Sequence, residues 1–95
     1  MDEATKIKNM NLWLDQLCEL YSVDREAVRD VTGDLLQMSR DVSHGPARPG
    51  VPLTGFLLGF VAGREGGSLQ EQTKKALDDM QPLLDPYRNE DGIIP

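Results

Sequence analysis

The sequence predicts an all-α domain, a small helical bundle of four principal helices with room for a short extra helix at 25–31. Three observations carry that expectation. Apolar residues recur at three-and-four spacing in several separate segments. No segment sustains the alternation of a strand. Capping residues, glycines and prolines fall where the periodic segments start and stop. With 95 residues, one Cys and one His, the chain suits one domain near the lower size limit for folding without disulfides or metal.

The first helix is predicted from Met10 to Tyr21, because Met10, Trp13, Leu14, Leu17, Cys18 and Tyr21 share one face. Leu12 and Leu20 fall off that face. Residues 1–9 are expected to be a disordered N-terminus. Asp24 caps a short piece from Arg25 to Val31, and Thr32 caps a helix carrying Leu35, Leu36, Met38, Ser39 and Val42. Gly33 favours a break between the two, although one bent helix over 25–44 stays open. Gly45 and Pro46 mark the stop, since proline biases the residue before it away from helix.

Pro46, Pro49 and Pro52 sit three apart, which favours a stiff connector, and Pro52 suits the first turn of a third helix reaching Gly63. Leu53, Phe56, Leu57, Phe60 and Val61 are its expected core face. Gly55, Gly59 and Gly63 form a second stripe. Each interior glycine disfavours helix by about 1 kcal/mol relative to alanine, so the stripe implies a close backbone crossing or a planar ligand. Ser68 and Glu71 read as a capping box for a fourth helix, with Leu69, Thr73, Ala76, Leu77, Met80 and Leu84 on one face and Pro82 and Pro86 bracketing its end. The helical domain thus spans 10–85, and 86–95 is expected to be a flexible tail.

Ten basic against sixteen acidic residues give a net charge of −6, which disfavours nucleic acid and anionic membrane as partners. The most apolar run, Arg48 to Arg64, would span only about 20 Å as a helix, short of the roughly 30 Å of a bilayer core. The N-terminus lacks a secretory pattern, and a lone cysteine suits a reducing, cytoplasmic setting.

Against this acidic background, residues 42–64 contain no Asp or Glu. His44, Arg48 and Arg64, with the nearby Arg40, form a relatively positive island; of these, Arg40, His44 and Arg48 cluster around the loop. With the backbone N–H groups of Leu53 and Thr54 at a helix start, they make a candidate anion- or partner-binding site. The structural alternatives are strong: His44 at a helix C-terminus interacts favourably with its dipole, and Asp41 can tie Arg48 across the loop. Cys18 with His44 could form a thiolate pair, but Cys18 lies on an apolar face where free cysteines are usually inert. Trp13, Tyr21, Phe56 and Phe60 read as core packing. No catalytic residue, metal site or cofactor is assigned.

Two segments, LWLDQLCELYSVD at 12–24 and RDVSHGPARPGVPLTGFLLGFVAGREGG at 40–67, resemble a small actinobacterial domain of unknown function. That family occurs alone or appended to molybdenum-cofactor guanylyltransferases, which join molybdopterin to GMP. The resemblance covers most of Leu12 to Gly67 and is most specific at RDVSHGPARP and PLTGFLLGFVAG. Arg40, Asp41, His44, Gly45, Arg48, Pro49 and Pro52 match its distinctive segment. The resemblance implies a helical accessory domain linked to molybdopterin guanine dinucleotide biosynthesis, with a guanylyltransferase or molybdoenzyme as protein partner. The guanylyltransferase's own glycine-rich nucleotide loop after a first strand has no counterpart here. The expected function is therefore a non-catalytic accessory or protein-interaction domain. The alternative is a carrier of a phosphate-containing small molecule using Arg40, His44, Arg48 and the helix start at Leu53.

Overall fold

The computed structural model describes residues 2–88. Four α-helices follow one another: α1 Glu3–Tyr21, α2 Arg25–Val42, α3 Gly50–Glu65 and α4 Leu69–Leu84. A π-helical turn, Ser43–Ala47, joins α2 to α3, and a 3-10 turn, Asp85–Arg88, ends the described chain. The expected four-helix architecture is present, and no strand occurs among the described residues.

The core is built by three of the helices. Met38 and Val42 of α2, Leu58 of α3, and Ala76, Leu77 and Leu84 of α4 form one buried cluster, flanked by Leu35, Val51, Val61 and Met80. The α2 and α4 helices run parallel: the Gln70 amide donates to Asp30 at 3.3 Å near one end, and Tyr87 lies against Gly45 at the other. The α3 helix returns antiparallel and packs principally on α4. α1 stands apart and packs principally on α2.

Local chemistry fixes most ends as the sequence implies. Asp24 accepts from the Glu26 N–H at 3.2 Å, and Ser68 Oγ accepts from the Glu71 N–H at 3.2 Å. Gly66 and Gly67 have φ of 73° and 83°, a backbone open to glycine at little cost. Ser22 takes a left-handed conformation, φ 55°, closing α1 with bonds from its N–H to Cys18 and Glu19. The Val23 N–H reaches Cys18 O at 2.9 Å, as in a Schellman closure.

Several expectations need correction. α1 begins at Glu3 rather than Met10, because Asp2 Oδ1 accepts from the Thr5 N–H at 2.8 Å and caps the helix. Residues 3–9 are thus helical. Residues 25–42 form one helix without a break at Gly33. Thr32 does not cap, since its hydroxyl donates back to the Val28 carbonyl at 2.7 Å. Gly45 does not stop the chain's winding. The helix widens into the π turn that contains Pro46, an arrangement suited to a residue with no N–H and a ring that crowds the preceding turn.

α4 likewise runs through Pro82 to Leu84. Tyr87, expected in a loose tail, is half-buried, with its Cβ 3.0 Å from the point a side chain on Gly45 would occupy. The rest of the expected tail, from residue 89, lies outside the described residues.

Candidate functional site: the outward face of α3

α3 is apolar around most of its circumference, and no charged residue occurs from Pro49 to Gly63. At 100° per residue, Val51, Thr54, Leu58 and Val61 point to one side. Leu58 is buried there, and the other three are half-buried. Leu53, Phe56, Leu57 and Phe60 point to the other side at i, i+3, i+4 and i+7. They are 66%, 72%, 59% and 57% exposed. The expectation that these four form the core face is therefore reversed. A helix apolar on every side belongs in an interior, yet among the described residues this one is covered on one side only.

The molecule's shape explains the exposure. Its principal extents are 45 × 39 × 18 Å, so at about 10 Å per helix it is less than two layers deep. Among the described residues, nothing lies over the outer side of α3. Gly55, Gly59 and Gly63 follow the same logic: a Cβ at any of them would meet nothing within 4 Å. The expected close crossing at the glycine stripe is absent among the described residues. Arg64 closes the apolar face, its guanidinium 5.6 Å from the Phe60 ring centroid and 3.5 Å from Glu65.

Beside this face runs an open groove of about 780 Å³ between α3 and α4. Leu57, Leu58 and Val61 line it from α3, and Met80 and Leu83 from α4. Among the described residues, Asp79 is the sole charged one in its lining. Leu83 is 75% exposed at the rim, so the groove and the α3 face form one continuous apolar surface through Leu57.

The residues of the predicted polar site are placed differently. Arg40 donates to Gln37 Oε1 at 2.8 Å, while Gln37 Nε2 donates to Asp41 at 3.0 Å. Gln37 thus bridges the neighbouring pair, and Asp41 is held by Gln37 rather than by Arg48. His44 is exposed on the π turn, beside a cleft of about 150 Å³ that Asp41, Gly45, Leu84, Tyr87 and Arg88 also line. Neither Arg40 nor Arg48 lines that cleft. Arg48 is exposed.

The helix start shifts the candidate amides as well. With Gly50 as the first helical residue, the N–H groups of Leu53 and Thr54 close the first i to i−4 bonds instead of pointing free. The Thr54 hydroxyl donates to the Gly50 carbonyl at 2.8 Å. At the opposite end of α2, Cys18 is buried where α1 is joined to that helix. The 18 residues of α2, about 27 Å of helix, run from the α1 junction to the turn bearing His44. The two do not form a pair.

Trp13 and Tyr21, expected in the core, are 58% and 69% exposed. Sequence reasoning missed the tie that seats α1. Arg25 Nε donates to Asp15 Oδ1 at 2.6 Å and Nη2 donates to Asn11 Oδ1 at 3.3 Å. The signal was present as spacing, since Asn11 and Asp15 lie four apart on α1, but their partner sits across the turn.

Among the described residues, no group of three His, Cys, Asp or Glu side chains is placed to hold a metal ion, and no helix is long and apolar enough to cross a membrane. A family model described as a domain of unknown function, DUF6457, matches residues 5–92. The chain belongs to the DUF6457 family. The match takes in α1 from Thr5 and the whole of α2, α3 and α4, so the α3 surface is part of the DUF6457 domain itself. No curated protein and no solved structure matches the chain.

Proposed function

We propose that this DUF6457 domain is a non-catalytic protein-interaction module, accessory to molybdenum-cofactor biosynthesis, that docks through the outer face of α3. The observation that carries the reading is the exposure of Leu53, Phe56, Leu57 and Phe60 at helix-pairing spacing. A contiguous apolar patch of this kind marks an interaction site. The net charge of −6 argues for a protein partner over nucleic acid or an anionic membrane. The lone, buried Cys18 suits a reducing cytoplasm. The resemblance of RDVSHGPARP and PLTGFLLGFVAG to the guanylyltransferase-associated domain makes a molybdenum-cofactor guanylyltransferase the first partner to test, and a molybdoenzyme the second.

The test is direct binding between the purified chain and the guanylyltransferase of the same cell, measured by calorimetry with Phe56→Glu as control. Saturable binding that the substitution weakens supports the reading. Failure of both the guanylyltransferase and a molybdoenzyme to bind overturns the biosynthetic assignment. Binding that ignores Phe56→Glu overturns the assignment of the surface.

A further inference from the structure

We infer that residues 89–95, which follow the described chain, fold back into the groove between α3 and α4, with Ile93 and Ile94 seated on Leu83 and Met80 and with Glu90 and Asp91 beside Arg48 and His44. The inference goes beyond the docking role proposed for the outer face of α3. It does not depend on that role, because Leu53, Phe56 and Phe60 do not line the groove.

The place where the described chain ends selects this occupant. Its closing 3-10 turn, Asp85–Arg88, contributes Pro86 and Tyr87 to the lining of the groove itself, so residue 89 starts beside the opening. The family match continues through residue 92. The DUF6457 domain therefore includes chain beyond that turn. Asp91 and Gly92 make a turn-forming pair, and Ile93 and Ile94 follow at once. From Tyr87 to Ile93 the extended chain reaches up to about 20 Å, whereas Met80 lies only about 10 Å back along α4. The surplus leaves room for the chain to reverse.

The surface offered matches the segment that follows. Leu83 is 75% exposed and Met80 is half-buried, so two aliphatic side chains laid over them leave water together with them. A short tether also holds the segment at an effective concentration in the mM range. A free partner of similar intrinsic affinity is outcompeted at ordinary concentrations.

Charge sets the direction of entry. His44 shares a cleft with Tyr87 and Arg88, and Arg48 follows His44 at the end of the same π turn. Neither cation makes an ion pair among the described residues. Asp41 also lines the cleft, but the Gln37 amide already donates to it. Glu90 and Asp91 thus follow the turn at the one stretch of this acidic chain, 42–64, that carries no carboxylate. Asp79 lies about 12 Å from Tyr87 along α4. Acids held at the π turn and an uncharged pair carried inward keep the segment's carboxylates away from it.

NMR of the full chain, with Ile, Leu and Met methyl groups labelled, tests the inference. The expected result is a set of contacts from the Ile93 and Ile94 δ1 methyls to the methyls of Leu83 and Met80, unchanged on dilution. In the double variant Ile93→Asp, Ile94→Asp the Leu83 and Met80 signals should shift, with circular dichroism verifying that the helices are kept. Arg48→Glu should move the same signals in the same direction by a smaller amount. Absence of the contacts in the parent chain overturns the inference, whatever the variants do. Contacts seen only between differently labelled copies overturn it as well, since the segment then reaches a second molecule. Signals indifferent to Arg48→Glu overturn the pairing of the acids with the π turn. Binding of the guanylyltransferase is tested separately by Phe56→Glu, so either reading can fail while the other stands.

Discussion

Arg25 and Asp15 meet at 2.6 Å across the seam between α1 and α2, and this contact ties α1 to the one helix it principally packs on. The Arg25 side chain is 16% exposed, and its Nη1 is buried without a hydrogen-bond partner among the described residues. Removing only the carboxylate strands a buried cation, whereas removing the guanidinium also removes the orphaned donor. Asp15→Ala should therefore cost about 1–2 kcal/mol, and Arg25→Met should cost less. Urea unfolding at one fixed protein concentration checks the order of the two. An Arg25→Met variant less stable than Asp15→Ala would show that the guanidinium matters through its packing.

The two sides of α3 should respond differently to the same truncation. Leu58→Ala opens a hole in the core cluster and is expected to cost about 2–4 kcal/mol. Leu57→Ala, one residue away, removes a side chain that is 59% exposed and should cost under about 1 kcal/mol at high dilution, where association does not contribute. Thermal melts of the two variants in dilute solution decide the register of α3. Equal losses would place Leu57 in the interior.

Glycine substitutions offer a second check. Nothing lies within 4 Å of a Cβ at Gly33, in the middle of α2, so Gly33→Ala should stabilise by about 0.5–1 kcal/mol through helix propensity. At Gly45 the added Cβ would lie 3.0 Å from Tyr87 Cβ. Gly45→Ala should lower the melting temperature by displacing the 3-10 turn from the end of α2. A Gly45→Ala variant as stable as the parent would mean that Tyr87 yields freely.

Acid should loosen the start of α1 first. The bond from the Thr5 N–H holds the Asp2 carboxyl below its ordinary range. A depressed folded-state pKa contributes stability that is present above the unfolded value and lost as pH falls through the folded one. Protection of the Thr5 amide, its exchange rate taken relative to the intrinsic rate at the same pH, should therefore be present at neutral pH and fall on acidification below the usual carboxylate range. In Asp2→Ala that protection should be absent at every pH.

How far the sequence discloses this molecule depends on which residues have a choice. Asp24, Ser68 and the face Thr73, Ala76, Leu77 and Leu84 were legible because polar residues on the opposite side left one orientation available. α3 offered no such contrast. With apolar side chains on both sides, periodicity alone favoured the larger set, Leu53, Phe56, Leu57 and Phe60. Packing instead selected Leu58, Val51 and Val61, the side that meets the cluster built by α2 and α4.

Gly33 and Pro46 misled for a related reason. Each penalises regular helix locally, yet tertiary packing or a widened turn absorbs the penalty. The candidate polar residues Arg40, His44 and Arg48 were readable as a charge pattern. Their separation followed from where α3 begins, and the prolines alone left that start two residues too late. The Arg25 tie depended on a pairing across a turn, which no single-helix pattern contains.

The attachment of α1 along one side has a consequence for how the chain comes apart. A segment that packs principally on one neighbouring helix and is closed by a left-handed serine can detach while the other three helices stay folded. The stretch Ser22–Asp24 should then be where a protease cuts first, leaving a trimmed domain that keeps its core. Cys18, sheltered in the intact protein, would become reactive at the same rate as that detachment, making its thiol a clock for the opening of α1.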